Sequence, residues 1–558
     1  MKRILFLLLI VFSVADSDAQ YYKYWVTFTD KNGSPYSVSN PSVYLSARAI
    51  YRRTKYGIPV KTNDFPPNPN YVDSVVAKGV TPINRSRWLN AISVYAPDTN
   101  DLAAIRKLPF VKSVQLAYAD PALYLKKRPK KDNFRFPTGA SKRPESGPDT
   151  LNFGYAYQQL HQIQVDCLNN MGYRGKGKQI AILDTRFGVA HTLTAFDSVY
   201  SRGGVLATWD FVWKIKDVYD DTNNTDTHGQ MVFSCIAGII PGQMMGDAPD
   251  ADFYLLRTED NYSENIIEDE NWASGAEYAD SAGADVISSS LGYDQFDDAA
   301  ENLTYADMNG KVAAGSRAAT IATEKGMVVC VAAGNEGSNS WYYITSPGDA
   351  DSILTVGAVM SNGQHAGFSS FGPTSDGRIK PDVSAMGYYD YVASPYGGVL
   401  QESGTSFATP IIAGAAASLW QSDTNASNFQ IMASIKQSAT IFSHPNDSIG
   451  YGIPNFCMAQ NILLGITENK PVNILNKVYP DPFTGDINIL FFSSVNQNVV
   501  ISIYNMLGQA VYQKEQHVGG GGSTLVTINS LQQLPGGLYL AAVTDEQGIT
   551  YTQKVVKK

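Results

Sequence analysis

Ser406 stands in "GTSFATP" (404–410), where a small polar turn runs into an apolar, alanine-rich helix pattern. Alone, that is the signature of a helix N-cap. A serine hydroxyl becomes a nucleophile only if an imidazole takes its proton and a carboxylate holds that imidazole in the right tautomer. The chain offers both. Asp184 ends the apolar strand pattern "IAILD", and His228 opens the helix pattern "HGQMVFSCIAG". Asn335 follows another apolar run in "VVCVAAGNEGS", and a carboxamide there can donate to the oxyanion that forms on an attacked carbonyl. Taken singly, each has a plainer reading: a cap, a strand-end turn residue, a structural histidine, a turn asparagine flanked by glycines. Together they make a candidate for acyl transfer.

The elements that must position these residues are legible between about 150 and 465. "KQIAILD", "ADFYLLR", "ADVISSSLG", "MVVCVAAGN" and "ILTVGAV" read as buried strands. They alternate with helical patterns, "HGQMVFSCIAGII", "WASGAEYADSAG" and "SRAATIATEKG". Continuous apolar strands alternating with helices predict an α/β parallel sheet covered on both faces. Ligands of such sheets sit at the carboxyl ends of the strands, where Asp184 and Asn335 fall.

Seven ordered motifs carry a resemblance to the subtilisin-like serine proteases: "ILDT" (182–185), "HG" (228–229), "SSSLG" (288–292), "AAGNEG" (332–337), "FSSFGP" (368–373), "IKPDVSAMG" (379–387) and "GTSFATP" (404–410). The order Asp, His, Ser along the chain is the subtilisin order. The resemblance implies a secreted serine endopeptidase made as a precursor, in which Asp184 orients, His228 is the general base and Ser406 attacks. It implies an oxyanion hole of Asn335 and the Ser406 N–H. It also implies two edges that pair with extended substrate: Ser289, Leu291 and Gly292 on one, Ala332, Ala333 and Gly334 on the other. Two positions depart from the family pattern. Arg186 stands where a glycine is usual and could strain the turn after Asp184 or line the cleft; Gln230 stands where a threonine is usual. An alternative, a catalytically inactive subtilase-fold adhesin or binding protein, is opposed by the intact triad. A metalloprotease is opposed by the absence of H-E-x-x-H.

Three further stretches flank this region. Residues 1–19 read as a signal peptide, with Lys2 and Arg3 ahead of an apolar run from Leu5 to Val14 and small Ser17 and Ala19 before Gln20. Residues 20–125 read as a small α+β domain; "WLNAISVYAPDTNDLAAIRKLPFVKSVQLAYADP" resembles a subtilase propeptide, which implies an inhibitor of the peptidase. The basic, proline-rich stretch 126–149 reads as an exposed linker and a nicking site. Residues 470–558 read as a C-terminal β-sandwich. "VYPDPFTGDINI", "ISIYNMLGQAVYQ", "LPGGLYLAAVTDEQG" and "QKVVKK" resemble the sorting domain of type IX secretion cargo, which implies a Bacteroidetes-type bacterium and a route through the periplasm to the cell surface or medium.

Composition bounds the rest. A net charge of −9 over 558 residues disfavours nucleic acid as a partner, because phosphate binding needs clustered Lys and Arg. The partners implied are protein or peptide substrates, the chain's own propeptide and a secretion machinery. Four cysteines are too few for a disulfide scaffold. Cys235 and Cys330 read as buried thiols, and a Cys167–Cys457 bridge is left open. No Cys or His cluster has zinc spacing, so no metal ligand is assigned and no cofactor is required. The acidic loop "KDVYDDTNNTD" (216–226) offers oxygens of the kind calcium takes, but without EF-hand spacing; structural calcium is not established by it.

Overall fold

A computed structural model describes residues 22–96, 99–119, 151–219, 227–261, 263–465, 473–493, 495–519 and 522–558. The signal peptide (1–19), the linker (126–149) and most of the acidic loop (220–226) therefore lie outside the described residues.

At the centre is a seven-stranded, wholly parallel sheet. Its order is Val383–Met386, Leu354–Val359, Val328–Ala332, Val286–Ser289, Gln179–Asp184, Asp252–Arg257 and Val205–Asp210. The inner strands are largely apolar and buried along their length because side chains alternate between two covered faces. Ile180 and Ile182 face one core with the helices His228–Ala237 and Thr405–Ser422. Ala181 and Leu183 face the other, with Ile267–Ala282 and Ala314–Glu324. Helix Thr405–Ser422 is buried from Thr405 to Trp420, which explains a sequence apolar all round instead of amphipathic.

The N-terminal region is an antiparallel four-stranded sheet, ordered Thr81–Ser86, Ala91–Ala96, Tyr22–Phe28, Val111–Ala119, with helices Ala47–Lys55, Pro69–Val76 and Thr99–Ile105. Its two faces have different partners. Tyr24, Val26, Phe28, Ile92 and Val94 pack on its own Val72, Val75, Leu102 and Ile105. Trp25, Ala91, Ala117 and Tyr118, with Trp88 and Leu89, join Trp272, Ala276 and Ala279 in the peptidase-side core. The first two helices of this region were not predicted from the sequence.

The C-terminal region is two antiparallel sheets, one of three strands and one of four, closed on a common core that includes Phe483, Phe491, Ile501 and Val543. Cys167 and Cys457 are disulfide-bonded, tying helix Val165–Asn170 to helix Phe456–Leu463 across 290 residues of sequence. Cys235 and Cys330 are free and buried. No helix of the described residues is long and apolar enough to cross a membrane.

Candidate active site

Asp184, Ser289 and Ala332 end three neighbouring strands, so the loops that follow them converge on one rim of the sheet. The start of helix His228–Ala237 meets this rim at Gly229. A β-carbon there would lie 2.9 Å from the Arg186 carbonyl oxygen and 3.2 Å from the Asp184 β-carbon, so only glycine lets the helix approach this closely. The approach delivers His228: its Nδ1 is 2.7 Å from Asp184 Oδ1. Asp184 is fully buried, and the same oxygen accepts the Thr185 N–H at 2.8 Å.

Ser406 lies in the first turn of helix Thr405–Ser422, but it is not the cap. Gly404 occupies the N-cap position, and no side chain caps there. Pro410, four residues on, explains the local arrangement. It lacks the N–H that would bond to the Ser406 carbonyl. That carbonyl instead accepts the Ser290 hydroxyl at 2.7 Å, and Ser406 Oγ reaches the Ser290 carbonyl at 3.4 Å. The chain segment after strand Val286–Ser289 is thus fastened to the nucleophile's own backbone. His228 packs beside Phe407, the next residue, with ring centroids 5.9 Å apart.

Asn335 is held on the other side. Gly334, with φ +104°, takes a left-handed turn off strand Val328–Ala332. The Asn335 Oδ1 then accepts both the Thr405 N–H (2.9 Å) and the Thr405 hydroxyl (3.0 Å). With its oxygen occupied, the amide presents Nδ2 near Gly404, 3.6 Å from where a β-carbon of that residue would lie. The helix N-terminus adds a positive field at the same place.

The residues read from the sequence as substrate edges lie at and beyond the ends of two neighbouring strands. Ser289 pairs with Val331 on one side and Leu183 on the other, and its hydroxyl accepts the Trp272 indole N–H at 2.7 Å. It is inside the sheet, because the ladder continues one residue further than the motif suggests. Ser290, Leu291 and Gly292 follow it out of the ladder; Ala332 is likewise inside the sheet, paired with Val356, and Ala333 and Gly334 follow it. Of the two departures from the family pattern, Arg186 has ordinary backbone geometry and stacks its guanidinium 4.3 Å from the Trp213 ring centre. Gln230 is buried and accepts the Val189 N–H at 3.0 Å, bracing the loop after Asp184. Near the first edge, Asp294 is pushed up to about 7 by burial, with the Glu336 carboxylate adding to the effect.

The bond from Ser290 to the Ser406 carbonyl was missed from the sequence, although Pro410 four residues after Ser406 announces a freed carbonyl in need of a donor. Glu259, Glu264 and Glu268 were missed too; their ligand atoms lie within 4.8 Å of one another, close enough to share a cation.

Comparison with known proteins bears on this geometry. The Subtilase family model matches residues 175–452. A Bacteroidota peptidase S8 propeptide domain matches 23–133, and a secretion system C-terminal sorting domain matches 477–558. Subtilisin NAT of Bacillus subtilis subsp. natto is 30% identical over 283 residues, which is 50% of this chain and 65% of that protein. The subtilisin of Bacillus pumilus is 30% identical over 283 residues, with 90% of its length covered. Subtilisin Savinase of Lederbergia lenta is 29% identical over 297 residues, covering 53% of this chain and 95% of that protein. The propeptide and sorting-domain matches mark a secreted or cell-surface protein of a Bacteroidota bacterium.

Proposed function

The chain belongs to the subtilase family, and from that membership we propose that it is a serine endopeptidase, secreted as a precursor, whose nucleophile is Ser406. The Asp184–His228 hydrogen bond of 2.7 Å carries the reading. With Nδ1–H donated to Asp184, the His228 Nε2 is left as the base, and the buried carboxylate stabilises the imidazolium that forms.

Substrate lies extended between the edges Ser290–Gly292 and Ala332–Gly334. Ser406 Oγ attacks the scissile carbonyl as His228 takes its proton. The oxyanion is met by Asn335 Nδ2 and the Ser406 N–H, donors already fixed in place, so little reorganisation is needed as charge develops. His228 returns the proton to the leaving amine, the acyl-enzyme remains on Ser406, and water activated by the same imidazole releases it. The N-terminal domain holds the precursor inactive until it is cut away, and the C-terminal sandwich addresses it to the secretion machinery.

The test is peptide hydrolysis by Ser406→Ala, His228→Ala and Asp184→Asn, singly and combined. Each is expected to collapse turnover, and the combination to add little, because the three act as one unit. Full activity in any single variant overturns the assignment.

A further inference from the structure

Glu259, Glu264 and Glu268 lie where the chain leaves strand Asp252–Arg257 and enters helix Ile267–Ala282. Each offers an oxygen, and the three oxygens lie within 4.8 Å of one another. Their placement is fixed from several sides. Glu268 accepts the Asp260 N–H at 2.6 Å and the Asn265 N–H at 3.1 Å, which folds the loop back onto the helix that follows it. The Glu259 carboxylate accepts the Tyr293 hydroxyl, and the Glu259 carbonyl accepts Arg257 Nε–H at 2.9 Å. Glu259 and Glu268 are buried, and Glu264 is partly exposed. In the same loop the Asn261 side-chain oxygen is buried and makes no hydrogen bond among the described residues. Arg257 reaches Asp260 at 3.6 Å, but it is already held by Asp210 at 2.8 Å.

Buried carboxylates this close together repel, and the arrangement calls for a cation. The N-terminal region brings one. On strand Tyr22–Phe28, Lys23 is two residues from Trp25 and therefore on the same face, the one that joins Trp272 in the peptidase-side core. Glu268 is four residues from Trp272 and on the same side of its helix. These two steps are nearly equal in length, about 7 Å along the strand and about 6 Å along the helix. They run the same way: burial lowers the Lys23 pKa, and the Asp260 and Glu268 carboxylates act against that. The ammonium lies 4.6 Å from the Tyr118 ring centre and makes no hydrogen bond among the described residues. It serves the cluster as a counter-charge and not as a bonded partner.

We propose that Glu259, Glu264 and Glu268 bind a calcium ion once the N-terminal region has left, and that Lys23 keeps the ion out of the precursor. The inference takes from the reading above only that the N-terminal region is removed. The donor set selects the metal. Calcium takes about six to eight oxygens at about 2.3–2.6 Å, so oxygens on opposite sides of one ion are about 4.6–5.2 Å apart. Magnesium demands a near-ideal octahedron and gives up its water reluctantly, which suits two buried carboxylates poorly. Glu264 stands on the open side, where the ion enters and water completes its shell. A dication and the Lys23 ammonium repel each other there. Calcium and the N-terminal region therefore weaken each other's binding by one common factor. Calcium then promotes release of the cut N-terminal region without touching the triad.

The experiment measures calcium binding by titration calorimetry on chelator-stripped protein in three forms. These are the matured enzyme, the Ser406→Ala precursor, and that precursor carrying Lys23→Ala. Each is compared with its Glu264→Ala counterpart, so that binding elsewhere in the chain is subtracted. The matured enzyme is expected to show a calcium event that Glu264→Ala removes. The precursor should bind at that site about tenfold or more weakly, and Lys23→Ala should restore most of the difference. Magnesium at the same concentration should not displace the calcium. Absence of a Glu264-dependent event in the matured enzyme overturns the proposal, and displacement by equal magnesium overturns the choice of ion. Equal affinity in precursor and matured enzyme overturns the role of Lys23, as does a precursor affinity that Lys23→Ala leaves unmoved. Should Lys23→Ala fail to fold, the comparison of precursor with matured enzyme still decides. The Lys23→Ala arm needs no catalysis, so a chain that hydrolyses nothing would remove the peptidase reading and leave this test standing.

Discussion

The N-terminal α+β region and the C-terminal sandwich flank the same parallel sheet, yet they bury their apolar surface in different places. Trp25, Trp88 and Leu89 of the N-terminal region share one core with Trp272 and Ala276 of the peptidase. The C-terminal core draws on residues 478 and beyond among the described residues. Charge follows the same division. Arg52 and Arg53, on helix Ala47–Lys55, are almost fully buried against the peptidase. Arg52 donates to Asp280 at 2.6 Å and to the carbonyls of Ala284 and Lys325 beyond the ends of two peptidase helices. Arg53 pairs with Asp280 at 2.8 Å and Asp64 at 3.1 Å, and Lys325 reaches Asp64 at 2.9 Å. The Glu277 carboxylate accepts the Arg87 and Trp88 N–H groups and the Ser86 hydroxyl. One appendage is thus built into the peptidase and specific to it; the other has what it needs to fold alone. That difference suits a region that must recognise its own enzyme and a region that must be recognised by something else.

Ser406→Ala tests the division most severely. Hydrolysis should fall by roughly a million-fold. When this precursor is cut at protease sites inserted between residues 119 and 151 and between 465 and 473, residues 22–119 should still co-elute with the peptidase, whereas the C-terminal piece should not. Separation of the N-terminal piece in buffer would break the comparison.

Next in size is Arg53→Met, which leaves Asp280 and Asp64 short of a partner. Breaking a buried pair from one side costs about 3–5 kcal/mol. Residues 22–119 carrying the change should therefore inhibit the mature enzyme in trans roughly 10²–10³-fold more weakly than the native fragment. An unchanged inhibition constant would mean that the shared apolar core holds the two together without the ion network.

A smaller effect is expected from pH. Asp269 lies on the helix that receives the N-terminal region, and burial pushes its carboxyl up to about 7. An acid raised in the folded state favours folding while it is protonated. That contribution is complete below its unfolded value of about 3.9 and is lost as pH rises to about 7. Asp269→Asn keeps an oxygen for the Gly315 N–H, bonded at 3.0 Å, and cannot ionise. The Tm difference between variant and wild type should grow from near zero in acid to a gain of a few degrees above about pH 7. A difference that does not vary with pH would contradict this.

The smallest change should follow removal of residues 473–558. Hydrolysis per active site and the Tm of the peptidase should be unaltered in a heterologously produced enzyme, while export in the native host is lost. A fall in hydrolysis by properly folded truncated enzyme would show that the sandwich reaches the site after all.

Much of the peptidase region was legible because its signals are local. Runs such as "IAILD" and "VVCVAAG" admit few other structures, and Asp184, His228, Ser406 and Asn335 each sit at an element boundary that the pattern marks. The helices Ala47–Lys55 and Pro69–Val76 were not legible, because the first carries Arg52 and Arg53 on a face that reads as solvent-exposed. Their burial depends on Asp280, more than 220 residues away, which no local pattern can announce. That Ser289 and Ala332 still pair inside the sheet was not legible for a related reason: where a strand stops pairing is decided by its neighbours, Leu183, Val331 and Val356, and not by its own residues.

By itself the sequence determined the class of chemistry, the order of the parts and the alternation that makes a parallel sheet, since these depend on residue type and short-range periodicity. Which side chains meet was settled by packing in three dimensions. It freed Ser406 from the cap by giving that place to Gly404, supplied Ser290 to the carbonyl that Pro410 leaves open, and set Thr345 between Gly292 and Gly334. The last two are contacts between segments far apart in the chain, fixed by the packing of helices on a sheet. The energy that selects them comes from burial and from satisfying polar groups in three dimensions, neither of which is a property of neighbouring residues.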